Sequence, residues 1–93
     1  MTATDIERVK RRNRIDEVIA GHGVHLQRAG DRLSGRCPFH DDRSPSLVVW
    51  PDNHFRCFGC GVHGDLITWT QAYRRIDFRT AVAELARQAG VEV

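Results

Sequence analysis

Two short clusters, Cys37-Pro38-Phe39-His40 and Cys57-Phe58-Gly59-Cys60, constrain this chain more than anything else in it. Together they offer three thiols and one imidazole, a complete tetrahedral donor set for zinc. Within each cluster the two donors are separated by two residues, so a tight turn can aim both at one ion. Two such turns, brought in from separate parts of the chain, close a four-coordinate shell. A closed shell has no position for water or substrate, so the ion it implies is structural rather than catalytic. All three cysteines of the chain fall inside these clusters.

Size points the same way. At 93 residues an unaided hydrophobic core is becoming marginal, and a metal is one standard remedy. Structural zinc contributes roughly 10–16 kcal/mol to the folding of small finger peptides, against a net stability of roughly 5–15 kcal/mol for a typical domain. Three cysteines cannot all pair as disulfides, and charge from Asp5 onward argues against a secretory leader. No apolar run approaches the ~20 residues of a membrane span. The expected setting is a reducing cytoplasm, with no membrane partner. The formal net charge of +2 falls to about +1 once three thiolates and a divalent ion are counted. That is too weak to announce a nucleic-acid binder, so any such reading rests on where the 14 basic residues lie.

Residues 1–22 read as helix. Thr4-Asp5-Ile6-Glu7 has the form of a capping box, and Ile6 and Val9, then Ile15, Val18, Ile19 and His22, recur at helical spacing. Asn13 can divide the stretch by capping a second short helix. Arg8, Lys10, Arg11, Arg12 and Arg14 between the two stripes can grip phosphate or form a solvated face, and the solvated face is the simpler reading. After His22 and Gly23, residues 24–28 and 32–37 read as strands around a turn. The second strand puts Arg32, Ser34 and Arg36 on one face and Leu33, Gly35 and Cys37 on the other. Residues 46–50 and 54–58 pair around the turn Pro51-Asp52-Asn53, and residues 61–64 read as a flexible connection. Asp65 and Asp77 then cap two helices. The inward face of the first is Leu66, Ile67, Trp69, Thr70 and Tyr73. That of the second is Phe78, Ala81, Val82, Leu85, Ala86 and Ala89, closed by Gly90. The expected fold class is α+β: a zinc-ribbon-type antiparallel β-sheet with flanking N-terminal and C-terminal helices, in one domain over residues 1–93.

The ordered set Gly35-Arg36-Cys37-Pro38-Phe39-His40, Arg43-Ser44-Pro45-Ser46 and Cys57-Phe58-Gly59-Cys60-Gly61 with Gly64-Asp65, continued by Phe78, Ala81, Val82, Leu85 and Ala86, resembles the amino-terminal zinc-binding domain of bacterial and phage DNA primases. The likeness runs from about Ile6 to Val93. It implies Cys37, His40, Cys57 and Cys60 as ligands of one structural Zn2+, with the family's basic loop residue at Arg43 and the basic residue ending its first strand at Arg28. There are departures: the interval from His40 to Cys57 is slightly short, Leu33 stands where an aromatic residue is frequent, and Asp31 where a basic one is. The resemblance implies a module that engages single-stranded DNA template and helps a primase start an RNA primer during DNA replication, as part of the primosome. The implied partners are that template and a primase catalytic domain, in cis or in trans, with the replicative helicase reached only indirectly. The family's magnesium-holding carboxylates belong to the catalytic domain, for which 93 residues leave no room. No catalysis is therefore expected of this chain alone; it is part of, or accessory to, a nucleotidyltransferase.

Binding an unpaired strand needs cations for phosphates and flat side chains for bases. Arg28, Arg32, Arg36, Arg43 and Arg56 come from adjacent strands and the loop after His40, and are expected to converge on one surface, with Trp50, Phe55 and His54 available to stack. Core packing is the simpler reading for at least one of Trp50 and Phe55, and for both Trp69 and Tyr73. Phe39 and Phe58 are expected to shield the metal, and His54 and His63 to be surface histidines. The free ring nitrogen of His40 is expected to find Asp41 or a backbone carbonyl. Two other functions compete: a zinc-ribbon adaptor docking a protein through the helical hairpin of residues 65–89, and an independent enzyme. The enzyme reading fails on the closed shell and on the absence of paired carboxylates beside it, since Asp41-Asp42 would make a poor magnesium clamp.

Overall fold

A computed structural model of the protein describes residues 2–92; Met1, where the expected first helix begins, and Val93 lie outside the described residues. Helix α1 (Ala3–Arg12) is opened by Thr2 rather than Thr4: the Thr2 hydroxyl accepts from the Asp5 amide at 3.2 Å and the Asp5 carboxylate accepts from the Thr2 amide at 3.0 Å. The two boxes overlap in sequence, and the earlier one gives a longer helix and leaves Asp5 within 3.9 Å of Arg8. The helix does break at Asn13, but not by the expected N-cap. Asn13 donates to the carbonyls of Val9 at 2.9 Å and Leu85 at 3.2 Å, so its amide ends α1 and fastens it to the last helix. Helix α2 (Ile15–Gly21) follows, with Arg14 at its start making no side-chain cap.

Five antiparallel strands form a meander in chain order: β1 (Leu26–Ala29), β2 (Arg32–Gly35), β3 (Leu47–Trp50), β4 (His54–Cys57) and β5 (His63–Gly64). The last strand falls where a flexible connection was expected. It is two residues long, with Gly64 opposite Phe55 and His63 opposite Arg56, and is created by the partner strand rather than by its own propensity. The turn between β3 and β4 places Asn53 at φ 81°, a left-handed conformation that asparagine tolerates well. The Asn53 side chain then accepts from the Leu66 amide at 3.1 Å, joining the hairpin tip to the next helix.

Helices α3 (Leu66–Arg74) and α4 (Phe78–Ala89) start at Asp65 and Asp77, which accept from the Thr68 and Thr80 amides at 2.9 and 2.8 Å, as expected of N-caps. Gly90, at φ 71°, ends α4. Among the described residues no helix is long and apolar enough to cross a membrane. The core joins the helices to one face of the sheet, bringing Val9, Ile15, Ile19, Leu66, Ile67, Val82 and Leu85 onto Leu47, Val49 and Phe55. Trp69 sits at its centre with no exposed surface, its ring meeting Phe39 and Phe55 edge-on at 5.0 and 5.1 Å. Tyr73 and Phe78, expected on inward faces, are instead partly exposed.

Strand alternation gives the sheet two unlike faces. Leu47, Val49, Phe55 and Cys57 are buried against the helices, while Val48 and Trp50 are half-buried and His54 and Arg56 exposed on the other side. Cross-strand pairing of Ser34 with Val48, and of Val48 with Arg56, extends this open face across three strands.

Candidate metal centre

The register of the sheet brings the two cysteine clusters together. Gly35 lies opposite Leu47, and Leu47 opposite Cys57, in one row across three strands. Cys37, two residues beyond Gly35, and the turn after Cys57 therefore emerge at the same end of the sheet. The Sγ atoms of Cys37, Cys57 and Cys60 and a ring nitrogen of His40 all lie within 4.8 Å of one another. Cys37 Sγ is 3.9 Å from Cys60 Sγ, and His40 Nε2 is 3.2 Å from Cys57 Sγ. A tetrahedral zinc site with metal–sulfur bonds near 2.3 Å and a metal–nitrogen bond near 2.0 Å has donor–donor edges of about 3.5–3.8 Å. The donors are thus arranged, and chosen, for zinc.

The backbone supports the charge this requires. The Phe39 amide donates to Cys37 Sγ at 3.5 Å and the Cys60 amide to Cys57 Sγ at 3.4 Å. Burial pushes the Cys37 thiol up to about 12, against the Phe39 amide and with its neighbouring thiols adding to the rise. Burial also opposes ionisation of Cys57, but the Cys60 amide, the His40 ring and the Gly59 amide outweigh it and bring that thiol down to about 6. Three thiols at one point repel each other's ionisation, and a divalent cation removes the conflict by binding all three as thiolates with release of protons. Gly59 is required by space: a Cβ there would come within 2.8 Å of His40 Cε1 and 2.9 Å of the Ser46 hydroxyl.

The second layer is built on Asp42. Its carboxylate accepts from the Cys37 amide at 2.8 Å, the Ser46 amide at 3.2 Å and the Ser46 hydroxyl at 2.6 Å. Led by the Ser46 hydroxyl and then the Cys37 amide, these bonds hold the Asp42 carboxyl down at about 2. The Ser46 carbonyl in turn accepts from the Phe58 amide at 2.9 Å, so Asp42 and Ser46 tie the first cluster to the second. Asp41, expected to reach His40, is almost fully exposed and lies 3.8 Å from Arg43 instead. Sequence reasoning missed Asp42 and Ser46 as supports; the available signal was their spacing, a carboxylate four residues ahead of a hydroxyl within one polar loop. Of the two rings expected to shield the metal, Phe39 packs edge-on against Trp69 in the core and Phe58 is 64% exposed.

The model of the CHC2 zinc finger matches residues 1–93. The chain belongs to the CHC2 zinc finger family. It is 46% identical over 83 residues to a DNA primase of Treponema pallidum, covering 87% of this chain and 14% of that protein. It is 44% identical over 91 residues to a DNA primase of Mycolicibacterium smegmatis, covering 96% and 14% respectively. Among solved structures it is similar to the Aquifex aeolicus primase, determined with its zinc-binding and RNA polymerase domains, at a TM-score of 0.90 and 37% identity; the match covers 100% of this chain and 23% of that one. The chain therefore spans about 14% of the length of the curated relatives it matches. The family and the cluster support one structural zinc ion, with Cys37, His40, Cys57 and Cys60 the four donors that the fold brings together for it.

The seven residues expected to contact DNA are not all brought together. Arg56 and Trp50 lie on the open face of the sheet, and Arg32 joins them by its alternation with Ser34. Arg36 is exposed just beyond β2, two residues past Ser34. Arg43 stands in the loop after His40, 91% exposed. Arg28 is a correction: it pairs with Leu33, whose neighbour in the next strand is buried Val49, so it belongs to the helix side of the sheet at its outer edge. Phe55 is a second correction, because at 1% exposure it is part of the core beneath Trp69 and has no face left for a base. His54 replaces it. The His54 ring stacks on Trp50 at 4.4 Å with 9° between planes, and the Arg56 guanidinium lies 5.3 Å above the Phe58 ring.

Proposed function

We propose that this chain is the template-binding module of a DNA primase, holding single-stranded DNA on the open face of its sheet while a catalytic domain, in the same chain or another, makes the RNA primer. The observation that carries this reading is the composition of that face. Residues Trp50, His54, Arg56 and Phe58 present flat rings and a guanidinium on the side of the sheet away from buried Leu47, Val49 and Phe55, and Arg32, Arg36 and Arg43 supply cations around them. Base stacking contributes roughly 1–3 kcal/mol per base and is tolerant of sequence, while arginine–phosphate contacts add affinity that falls with salt. The DNA primases among its relatives support the same assignment.

Zinc has a positional part in this: it joins the end of β4 to the turn after β2, so that Arg36 and Arg56 stand on one rigid platform. No reaction is assigned to the chain itself, and the polymerase chemistry belongs to the partner domain. Fluorescence anisotropy of labelled single-stranded oligonucleotides, titrated with the zinc-loaded chain at low and moderate salt, tests the reading. Saturable binding that weakens with salt is expected; a flat signal at both salt levels rejects it. Adding the chain in trans to a primase catalytic domain is expected to raise primer yield. The competing adaptor reading draws on Phe78, exposed at the start of α4, and gains ground if Phe78→Ala abolishes that stimulation while oligonucleotide binding persists.

A further inference from the structure

A cleft of about 340 Å³ opens beside β4, lined by Trp50, His54, Arg56, Phe58 and His63 and, between them, by Phe55 and Gly64. Sites for small ligands run from ~300 to 1,000 Å³, so this one has room for a single flat heterocycle. Its walls are already organised as two pairs, the stacked Trp50 and His54 rings and the Arg56 guanidinium on Phe58. Its polar character is set by what the side chains are bonded to. His54 Nδ1 lies 2.8 Å from the Asp52 carboxylate and His63 Nδ1 lies 3.1 Å from the Gly61 carbonyl. Both partners only accept, so each Nδ1 carries the proton and each Nε2 is left as an acceptor in the neutral ring. Arg56 has no carboxylate partner among the described residues, so its fork of donors is free.

We infer that this cleft receives one unpaired guanine of the bound DNA strand and that Arg56 selects it; the inference rests on the template-binding reading above. A guanidinium fork takes two adjacent acceptors, which guanine offers at O6 and N7. Its ring and amino N–H groups then remain as donors for the histidine acceptors. Adenine puts a donor beside N7 and so meets one arm of the fork with the wrong sign. Cytosine offers adjacent acceptors on its pairing edge, but one ring to stack and a single amino group to give. Phe58 backs the guanidinium and holds its plane, so the selection depends on a rigid fork rather than on charge alone.

The test is anisotropy of the zinc-loaded chain on oligothymidylate carrying one central dG, 7-deaza-dG, dA or dC. The dG strand is expected to bind about tenfold more tightly than plain oligothymidylate. The 7-deaza strand, which lacks only the N7 acceptor, is expected to lose most of that ratio, as is the Arg56→Lys variant, which keeps the positive charge. Equal affinity for all strands, preference for another base, or a dG preference that survives Arg56→Lys each overturns the inference while leaving template binding standing. Failure to bind any strand overturns the template-binding reading and this inference with it.

Discussion

The two ends of this molecule are held by different forces. At the metal end, Cys37, His40, Cys57 and Cys60 converge beside a hydrogen-bonded strut of Asp42 and Ser46; Cys37 and Cys57 are buried, while Cys60 and the Phe58 ring are exposed. At the helical end, Trp69 is enclosed by Phe39, Phe55 and the buried residues of α1 to α4. The first depends on a few directed bonds that one ion completes. The second depends on many contacts, each weak, summed over apolar area. A chain this short gains from using both, since neither core nor metal alone leaves a comfortable margin. The exposed arginines and rings lie on the side of the sheet away from its buried residues, from the hairpin tip at Trp50 and His54 to Arg56 and Phe58 beside the second cluster.

The largest effect tests whether the two ends stand independently. Chelation, or Cys57→Ser, removes a contribution on the order of 10–16 kcal/mol, beyond the roughly 5–15 kcal/mol of a whole domain. Loss of the sheet signal in circular dichroism is expected, together with loss of the fixed Trp69 environment in near-ultraviolet dichroism. If Trp69 kept its native signal without zinc, the two ends would be separate folding units. Next comes Trp69→Ala, expected to cost about 3–5 kcal/mol in thermal denaturation with excess zinc, while zinc still binds at one ion per chain; a loss of metal would show that the helical end builds the site.

Smaller changes sharpen the comparison. Asp42→Asn is expected to lower zinc affinity about 10- to 100-fold in competition with a chromophoric chelator, with the near-ultraviolet signal of Trp69 unchanged. The smallest effect concerns the edge of the core at His22. There Trp69 Nε1 donates to His22 Nδ1 at 3.0 Å, and Tyr73 stacks on the same imidazole at 4.3 Å. Burial, aided by Arg74 and opposed by Glu84, lowers the His22 pKa from 6.5. The unfolded chain therefore binds a proton that the folded one resists, so this contribution is complete above pH 6.5 and is lost as pH falls below it toward the folded value. His22→Asn keeps an acceptor for Trp69 but no titration. Its melting temperature is expected to fall less than that of the parent between pH 7.5 and 5.5, and parallel slopes would remove His22 from the account.

Much of the fold was legible because its signals are local. Asp65 and Asp77 cap helices wherever they precede an amphipathic run, and the hairpin of β3 and β4 follows from Val48, Val49 and Trp50 before the turn Pro51-Asp52-Asn53 and Phe55 after it. The metal set was legible because ligand spacing is itself a sequence pattern. Strand β5 was not, because His63 and Gly64 have no strand propensity of their own and pair only because β4 offers an open edge. The choice of Asp42 over Asp41 depended on which carboxylate the turn aims at the Cys37 amide, and the four-residue spacing of Asp42 to Ser46 was the one local sign of it. At the amino terminus two overlapping capping boxes competed, and their sequences do not rank them.

By itself, then, the sequence determined that four donors of the right kind would meet in pairs, that strands and capped helices would flank them, and which residues alternate with which. Only the tertiary structure decided which alternate set met the helices. That choice put Phe55 in the core and its neighbours His54 and Arg56 in solvent, and set Arg28 opposite Leu33 and apart from Arg32. The reason is that side chains along a strand differ only in parity, and parity acquires an inside and an outside through strand register and the layer packed against it.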